Sequence, residues 1–193
     1  EMRNYELQDV DVKAIPAARL EEINSSWSEV LEPDYTLAVT EWNVGENGPS
    51  TNINGLERSS ALLRLFADMV RMGVDYANIW TVQSPGPGPA PLSGPEGTEG
   101  PLTPTGMLFQ MMSDSLVGTN LMSSSSENTI INSEGVEVAF EYIFESQNSV
   151  VTYFASGIAE ELRINADFSE LLLAGNSMII WNYLREKSDD FKE

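Results

Sequence analysis

The stretch Thr36-Leu37-Ala38-Val39-Thr40-Glu41-Trp42-Asn43 decides how the rest of the chain is read. It is short, rich in apolar and β-branched residues, and bounded by Pro33 on one side and Gly45 on the other, which marks a strand. Period-two alternation puts Val39, Glu41 and Asn43 on one face and turns Trp42 toward the other, where covering helices are expected. An acid on an otherwise apolar strand costs free energy unless it is paired or useful. Glu41 is therefore the residue to explain.

Amphipathic helices flank this strand. Upstream, Leu20, Ile23, Trp27 and Val30 recur at three- and four-residue spacing and predict a helix from about Ala14 to Leu31. Downstream, Leu62, Leu65, Phe66, Met69 and Met72 share a face of a helix from about Leu56 to Met72, with Gly73 as its C′ stop. A second strand, Val74 to Val82, follows at once. A third helix opens after Thr103 as N-cap and Pro104 at the first helical position, carries Leu108, Met111, Met112 and Leu116 as a stripe, and ends at Gly118. Helix, strand, helix, strand, helix is the order of parallel βα units. The helix-to-strand links are short. The strand-to-helix links, Gly45 to Asn54 and Gln83 to Leu102, are long, and loops after strand C-termini are where α/β enzymes build their sites. A structureless loop as long as the second is uncommon unless it binds, covers a site or is disordered.

The pattern changes near Thr119. Ser123 to Ser126 form a polar break. Then Val136, Val138, Phe140, Tyr142 and Phe144 alternate with acids as a half-buried strand. Val150 to Ala155, Leu162 to Phe168 and Met178 to Leu184 read as further strands, and Arg185 to Glu193 as a fraying tail. Two domains are expected: residues 1–120 of βα units and residues 121–193 as an antiparallel β-domain.

Composition narrows the chemistry. In 193 residues the formal net charge is -20, which repels phosphate backbones and anionic bilayers, so nucleic acid and membranes are not expected as partners. The charge suits solubility, including in salty surroundings. No apolar run has the length of a membrane span. The opening Glu1-Met2-Arg3-Asn4 reads as neither a signal peptide nor a natural start, so the chain is expected to begin inside a longer protein. There is no Cys and no His, which removes Cys nucleophiles, Ser-His pairs and Cys/His zinc sites from this chain. No D-x-D-x-D-G calcium loop is present. No metal and no cofactor is expected. Acid–base work falls to carboxylates.

Glu41, near the C-terminal end of its strand, is the candidate; the competing reading is a strand-end acid that is solvated or salt-bridged. Trp80, near the end of the second strand, offers a flat apolar floor for a sugar ring or simply fills a core. Asn43 and Gln83 lie near the same mouth and either bond sugar hydroxyls or cap backbone. Glu46, Glu96 and Glu99 are read as solvated loop charges, and Glu141 and Glu145 as ordinary acids on the outer face of a strand.

Val39-Thr40-Glu41-Trp42-Asn43 resembles the strand-seven motif of clan A retaining glycoside hydrolases, among them the arabinofuranosidase, xylosidase and agarase families. Ala77-Asn78-Ile79-Trp80-Thr81 looks like their strand eight, and Leu102 to Leu108 like the start of their last barrel helix. The resemblance runs along the whole chain in order and implies the C-terminal portion of a (β/α)8 barrel followed by a small antiparallel β-sandwich. It implies Glu41 as the nucleophile, Trp80 as floor of the sugar subsite, and double displacement on a plant or algal polysaccharide. It also implies a second Glu as acid/base, usually after an Asn at the end of strand four. No such strand is here, and roughly 180 residues of a typical barrel are missing. The isolated chain is then expected to be inactive, and to pair with the rest of a larger parent enzyme, a complementing chain or another copy of itself. Bacterial export, to the periplasm or outside the cell, would fit such a substrate. The competing function is a non-catalytic carbohydrate-binding or interaction module derived from such a hydrolase.

Overall fold

A computed structural model describes residues 14–27, 29–31, 35–43, 56–83, 92–94, 100–122, 128–135 and 137–156. They divide into two compact units, the first ending at Ser113 and the second beginning at Asp114, inside a helix and upstream of the boundary expected at residue 120. The content is mixed: helices with a parallel strand pair, and an antiparallel sheet.

In the first unit, helix α1 (Ala14–Trp27) precedes strand β1 (Ala38–Trp42), helix α2 (Leu56–Arg71), strand β2 (Tyr76–Ile79) and helix α3 (Pro104–Ser115). α2 is the apolar centre: Leu62, Leu63, Leu65 and Met69 are buried, as are Ala61 and Ala67. The buried band is wider than the single stripe expected of a surface helix. It ends as predicted at Gly73, whose φ of 74° suits a residue without Cβ. Val74 N–H donates to the Met69 carbonyl and Gly73 N–H to that of Val70, the paired bonds of a Schellman stop.

α1 departs from expectation. Val30 and Leu31 N–H both donate to the Trp27 carbonyl, closing the helix a turn earlier than the periodicity predicted. Trp27 and Val30, the last members of the expected stripe, are exposed as a result.

β1 and β2 pair in parallel, with Ala38 opposite Tyr76 and Val39 opposite Ala77. Asp75 fastens the N-terminal end of the pair: its N–H donates to the Leu37 carbonyl while its carboxylate accepts the Leu37 N–H at 2.9 Å. The long connection after β2 is partly built. Leu92 N–H donates to the Thr81 carbonyl, Ser93 N–H to that of Val82, and Gly94 N–H to that of Pro101. This returning leg lies against the start of α3, where Thr103 is the N-cap: its hydroxyl accepts the Gly106 N–H at 3.1 Å.

The second unit is an antiparallel sheet centred on β5 (Glu137–Glu145). β6 (Val150–Ser156) pairs along one edge, from Ala139↔Ser156 to Glu145↔Val150. The other edge takes β3 (Asn120–Leu121) and β4 (Asn128–Ile131), short strands on either side of the polar break at Ser123 to Ser126 that were not read from sequence. The apolar residues expected on the inner face of β5, Val138, Phe140, Tyr142 and Phe144, are buried, and so is Ala139 between the first two. Phe144 and Tyr153 of β6 meet edge to face, with ring centroids 6.3 Å apart. The strands expected at 162–168 and 178–184 and the tail from Arg185 lie outside the described residues. Among the described residues no helix is long and apolar enough to cross a membrane.

Candidate active site

The pairing of β1 with β2 slips by one residue where the candidate acid sits. Val39 is opposite Ala77 and Trp42 opposite Ile79, so Thr40 and Glu41 together face the single residue Asn78. Ala77 and Ile79 are two apart and share a face, which places Val39 and Trp42 on one face as well. On β1 that face is the packed one, whereas Ala77 opposite Val39 is exposed and Ile79 half-buried. Trp42 is 2% exposed and its ring lies 6.3 Å from that of Phe66 on α2. Simple alternation from Val39 to Asn43 is therefore corrected. The extra residue moves Val39 to the helix side, while Glu41, adjacent to Trp42 within the strand, lies on the opposite face; Asn43 follows the end of β1 and is buried. Bulges occur where a strand must re-aim a side chain.

Alternation puts Tyr76 and Asn78 of β2 and, just past its end, Trp80 on that open face; all three are exposed, as is Ala77 between the first two. Glu41 is half-buried, at the C-terminal end of its strand, and Trp80, 41% exposed, stands just past the end of the neighbouring strand. The acid and the indole thus share one end and one face of a parallel pair. The other carboxylate beside these strands, Asp75, is at the opposite end and bonded to Leu37.

The backbone around Trp80 is held from several directions. Its N–H donates to the Trp42 carbonyl at 3.0 Å, one step beyond the ladder. Its carbonyl accepts the side-chain amide of Asn43 at 2.8 Å. The Trp80–Thr81 peptide is cis. The Thr81 carbonyl accepts Leu92 N–H, and the Thr81 hydroxyl donates to the Gln83 carbonyl at 2.8 Å.

The four residues picked out from sequence therefore separate. Register and alternation assign Glu41 and Trp80 to the same face and the same end of the strand pair. Asn43 is 3% exposed and gives its amide to backbone, the capping role left open beside sugar binding. Gln83 is half-buried just downstream of Thr81. Glu46, Glu96 and Glu99 lie outside the described residues, and Glu141 and Glu145 are on β5 in the second unit. Sequence reading passed over Asn78, although its place two residues before Trp80 put it on the same face. It also passed over Leu92 and Ser93, buried in the returning leg, for which the surrounding Pro/Gly-rich sequence offered no periodic signal. Among the described residues no cluster of acids is placed to hold a metal ion.

Comparison of the chain with family models, with curated proteins and with solved structures gave no match.

Proposed function

We propose that this chain is the C-terminal part of a retaining glycoside hydrolase, two βα units of a (β/α)8 barrel followed by a β-sandwich domain, with Glu41 as its nucleophile. One observation carries the reading: a half-buried carboxylate and an exposed indole lie on the same face at the C-terminal ends of two adjacent parallel strands. Strand C-termini are where parallel α/β folds gather catalytic groups. An indole face beside a carboxylate suits a sugar ring, whose C–H faces stack on aromatic surfaces while its anomeric carbon meets the acid.

In the proposed reaction Glu41 attacks the anomeric carbon and the glycosidic oxygen leaves with a proton from a second carboxyl group about 5 Å away. Water, deprotonated by that second group, then displaces Glu41 and restores the anomeric configuration. The two strands described here carry one acid between them, so the second comes from elsewhere in the barrel. The substrate class is a plant or algal polysaccharide, with arabinofuranosides, xylosides and agar-type galactans all compatible. Such a substrate is met outside the cell or in the periplasm, where the proposal places the protein.

The test is covalent trapping. Full-length protein treated with 2-deoxy-2-fluoro glycosides of these sugars is expected to gain one glycosyl unit, mapped by peptide mass to Glu41. Binding of oligosaccharide without labelling supports a non-catalytic carbohydrate-binding module instead, a reading favoured by the single acid on these two strands.

A further inference from the structure

We infer that Asn43 is a positioning residue, which fixes the Trp80 floor from behind by holding its carbonyl and does not itself touch the sugar. The inference rests on the reading of Glu41 and Trp80 as a sugar site and assigns Asn43 its part there.

Trp42 and Trp80 are anchored by different means. Trp42 is enclosed, at 2% exposure, and packing sets its ring. Trp80 has 41% of its surface open, so enclosure does less and the backbone from which the indole springs matters more. β2 has ended at Ile79, and the regular ladder no longer supplies partners for both polar groups of the next residue. The Trp42 carbonyl takes the Trp80 N–H, and Asn43 supplies the donor for the Trp80 carbonyl. At 3% exposure the Asn43 amide is out of reach of a ligand lying on the open indole. Asn43 also follows Glu41 by two residues on the same strand end, so one short segment sets both the acid and, through Asn43, the floor. A shift of either changes the spacing between them, on which nucleophilic attack depends.

The experiment uses the full chain and two variants, Asn43→Ala and Asn43→Asp, and needs no sugar. Two quantities are read: hydrogen exchange of the Trp80 amide, and the near-ultraviolet dichroism of Trp80, isolated by subtracting the same protein with Trp80→Phe. For Asn43→Ala the Trp80 N–H keeps its acceptor, the Trp42 carbonyl, but loses the anchor on its own residue's carbonyl, and its exchange is expected to rise about two- to tenfold, the size of one lost net hydrogen bond, with Leu65 and Met69 on α2 still protected. For Asn43→Asp the outcome depends on pH. A protonated carboxyl donates to the Trp80 carbonyl and keeps the wild-type signal, whereas a carboxylate facing that carbonyl reproduces the Ala variant. The changeover is expected above the ordinary carboxylate range, because burial disfavours the charged form. A wild-type Trp80 signal in both variants overturns the inference. So does an Asp variant that matches the Ala variant at every pH. If Asn43→Ala loosens α2 as well, the pH dependence of the Asp variant decides alone. Covalent trapping at Glu41 is a separate readout: where trapping fails and the Trp80 signal still follows the Asp titration, the positioning stands and its use for sugars falls.

Discussion

β1 sets one acid and β5 three among apolar residues, and the two strands put them to different ends. β5 runs nine residues, and along one edge each residue from Ala139 to Glu145 has its partner on β6, without a slip. Its inner side chains Val138, Phe140, Tyr142 and Phe144 are all buried. Along that edge the ladder holds the alternation of the large side chains, because a one-residue slip sends every inner side chain to the outside; on the other edge the pairing with β4 shifts by one residue near Ile131, and Ala139 is buried as well. β1 runs five residues, has one described partner strand, and sets two residues against one at Glu41. The slip keeps Trp42 on the packed side and leaves Glu41 on the open face of the strand end. The antiparallel sheet is a packing device; the parallel pair is an aiming device.

The sharpest way to break this contrast is to remove one acid from each strand. In full-length protein, Glu41→Gln is expected to lower glycoside turnover by about 10³-fold or more, the scale on which nucleophile losses are measured, with Tm little changed. Glu145→Gln on β5, at an exposed position, is expected to leave turnover and Tm near wild type, as surface substitutions generally do. Equal effects on turnover from the two changes would erase the distinction. The converse substitution is Phe140→Ala, at a position 1% exposed in the sheet. A cavity there is expected to cost ~3–5 kcal/mol in chemical denaturation, while the near-ultraviolet signal of Trp80 survives in the folded protein.

A smaller effect probes what lies behind the site. An added Cβ at Gly106 runs into the Leu92 carbonyl oxygen, whereas at Gly73 it meets nothing. Gly106→Ala therefore pushes the returning leg away from α3, at about 1–3 kcal/mol by the scale of overpacking, and disturbs Thr81, to which Leu92 is bonded. Gly73→Ala costs about 1 kcal/mol through its positive φ alone, and Trp80 is expected not to register it.

What could be read in the residues divides along the same line. Gly73, Thr103 and Pro104 announced helix ends because each solves a local backbone problem that needs no knowledge of the fold. Phe140, Tyr142 and Phe144 were legible because alternation over a long strand is a strong signal. The slip at Glu41 was not, since it is defined by what stands across from it on β2. β4 was missed because Asn128-Thr129-Ile130-Ile131 follows a polar run and takes its register from β5. Trp27 and Val30 fit a helical stripe and are nonetheless exposed, since periodicity cannot say where a helix closes. Of the site, Glu41 and Trp80 were visible as residue types at strand ends, while the bond from Asn43 to the Trp80 carbonyl is long-range and surfaced only with the fold.

The smallest expected effect also carries a pH signature. Ser115, in the last turn of α3, and Tyr153 on β6 share a hydroxyl–hydroxyl hydrogen bond of 2.8 Å. Burial pushes the Tyr153 phenol above its ordinary value; the Ser115 hydrogen bond opposes this, and the charge of Asp114 adds to the rise. A phenol whose pKa is raised on folding keeps its proton in the native state at pH values where the unfolded chain has begun to lose it. Its contribution to stability is thus complete below the unfolded value near 10 and is lost as pH rises from there through the folded value. Tyr153→Phe removes the hydrogen bond and the titration together. It is expected to cost about 0.5–1.5 kcal/mol at neutral pH, and to make the alkaline fall in stability shallower than in wild type. Urea midpoints from pH 7 to 11 measure both. An alkaline limb as steep in the Phe variant as in wild type would place the titrating group elsewhere. Since Tyr153 belongs to the sheet and not to the strand pair, the near-ultraviolet signal of Trp80 should not follow this titration while the protein stays folded.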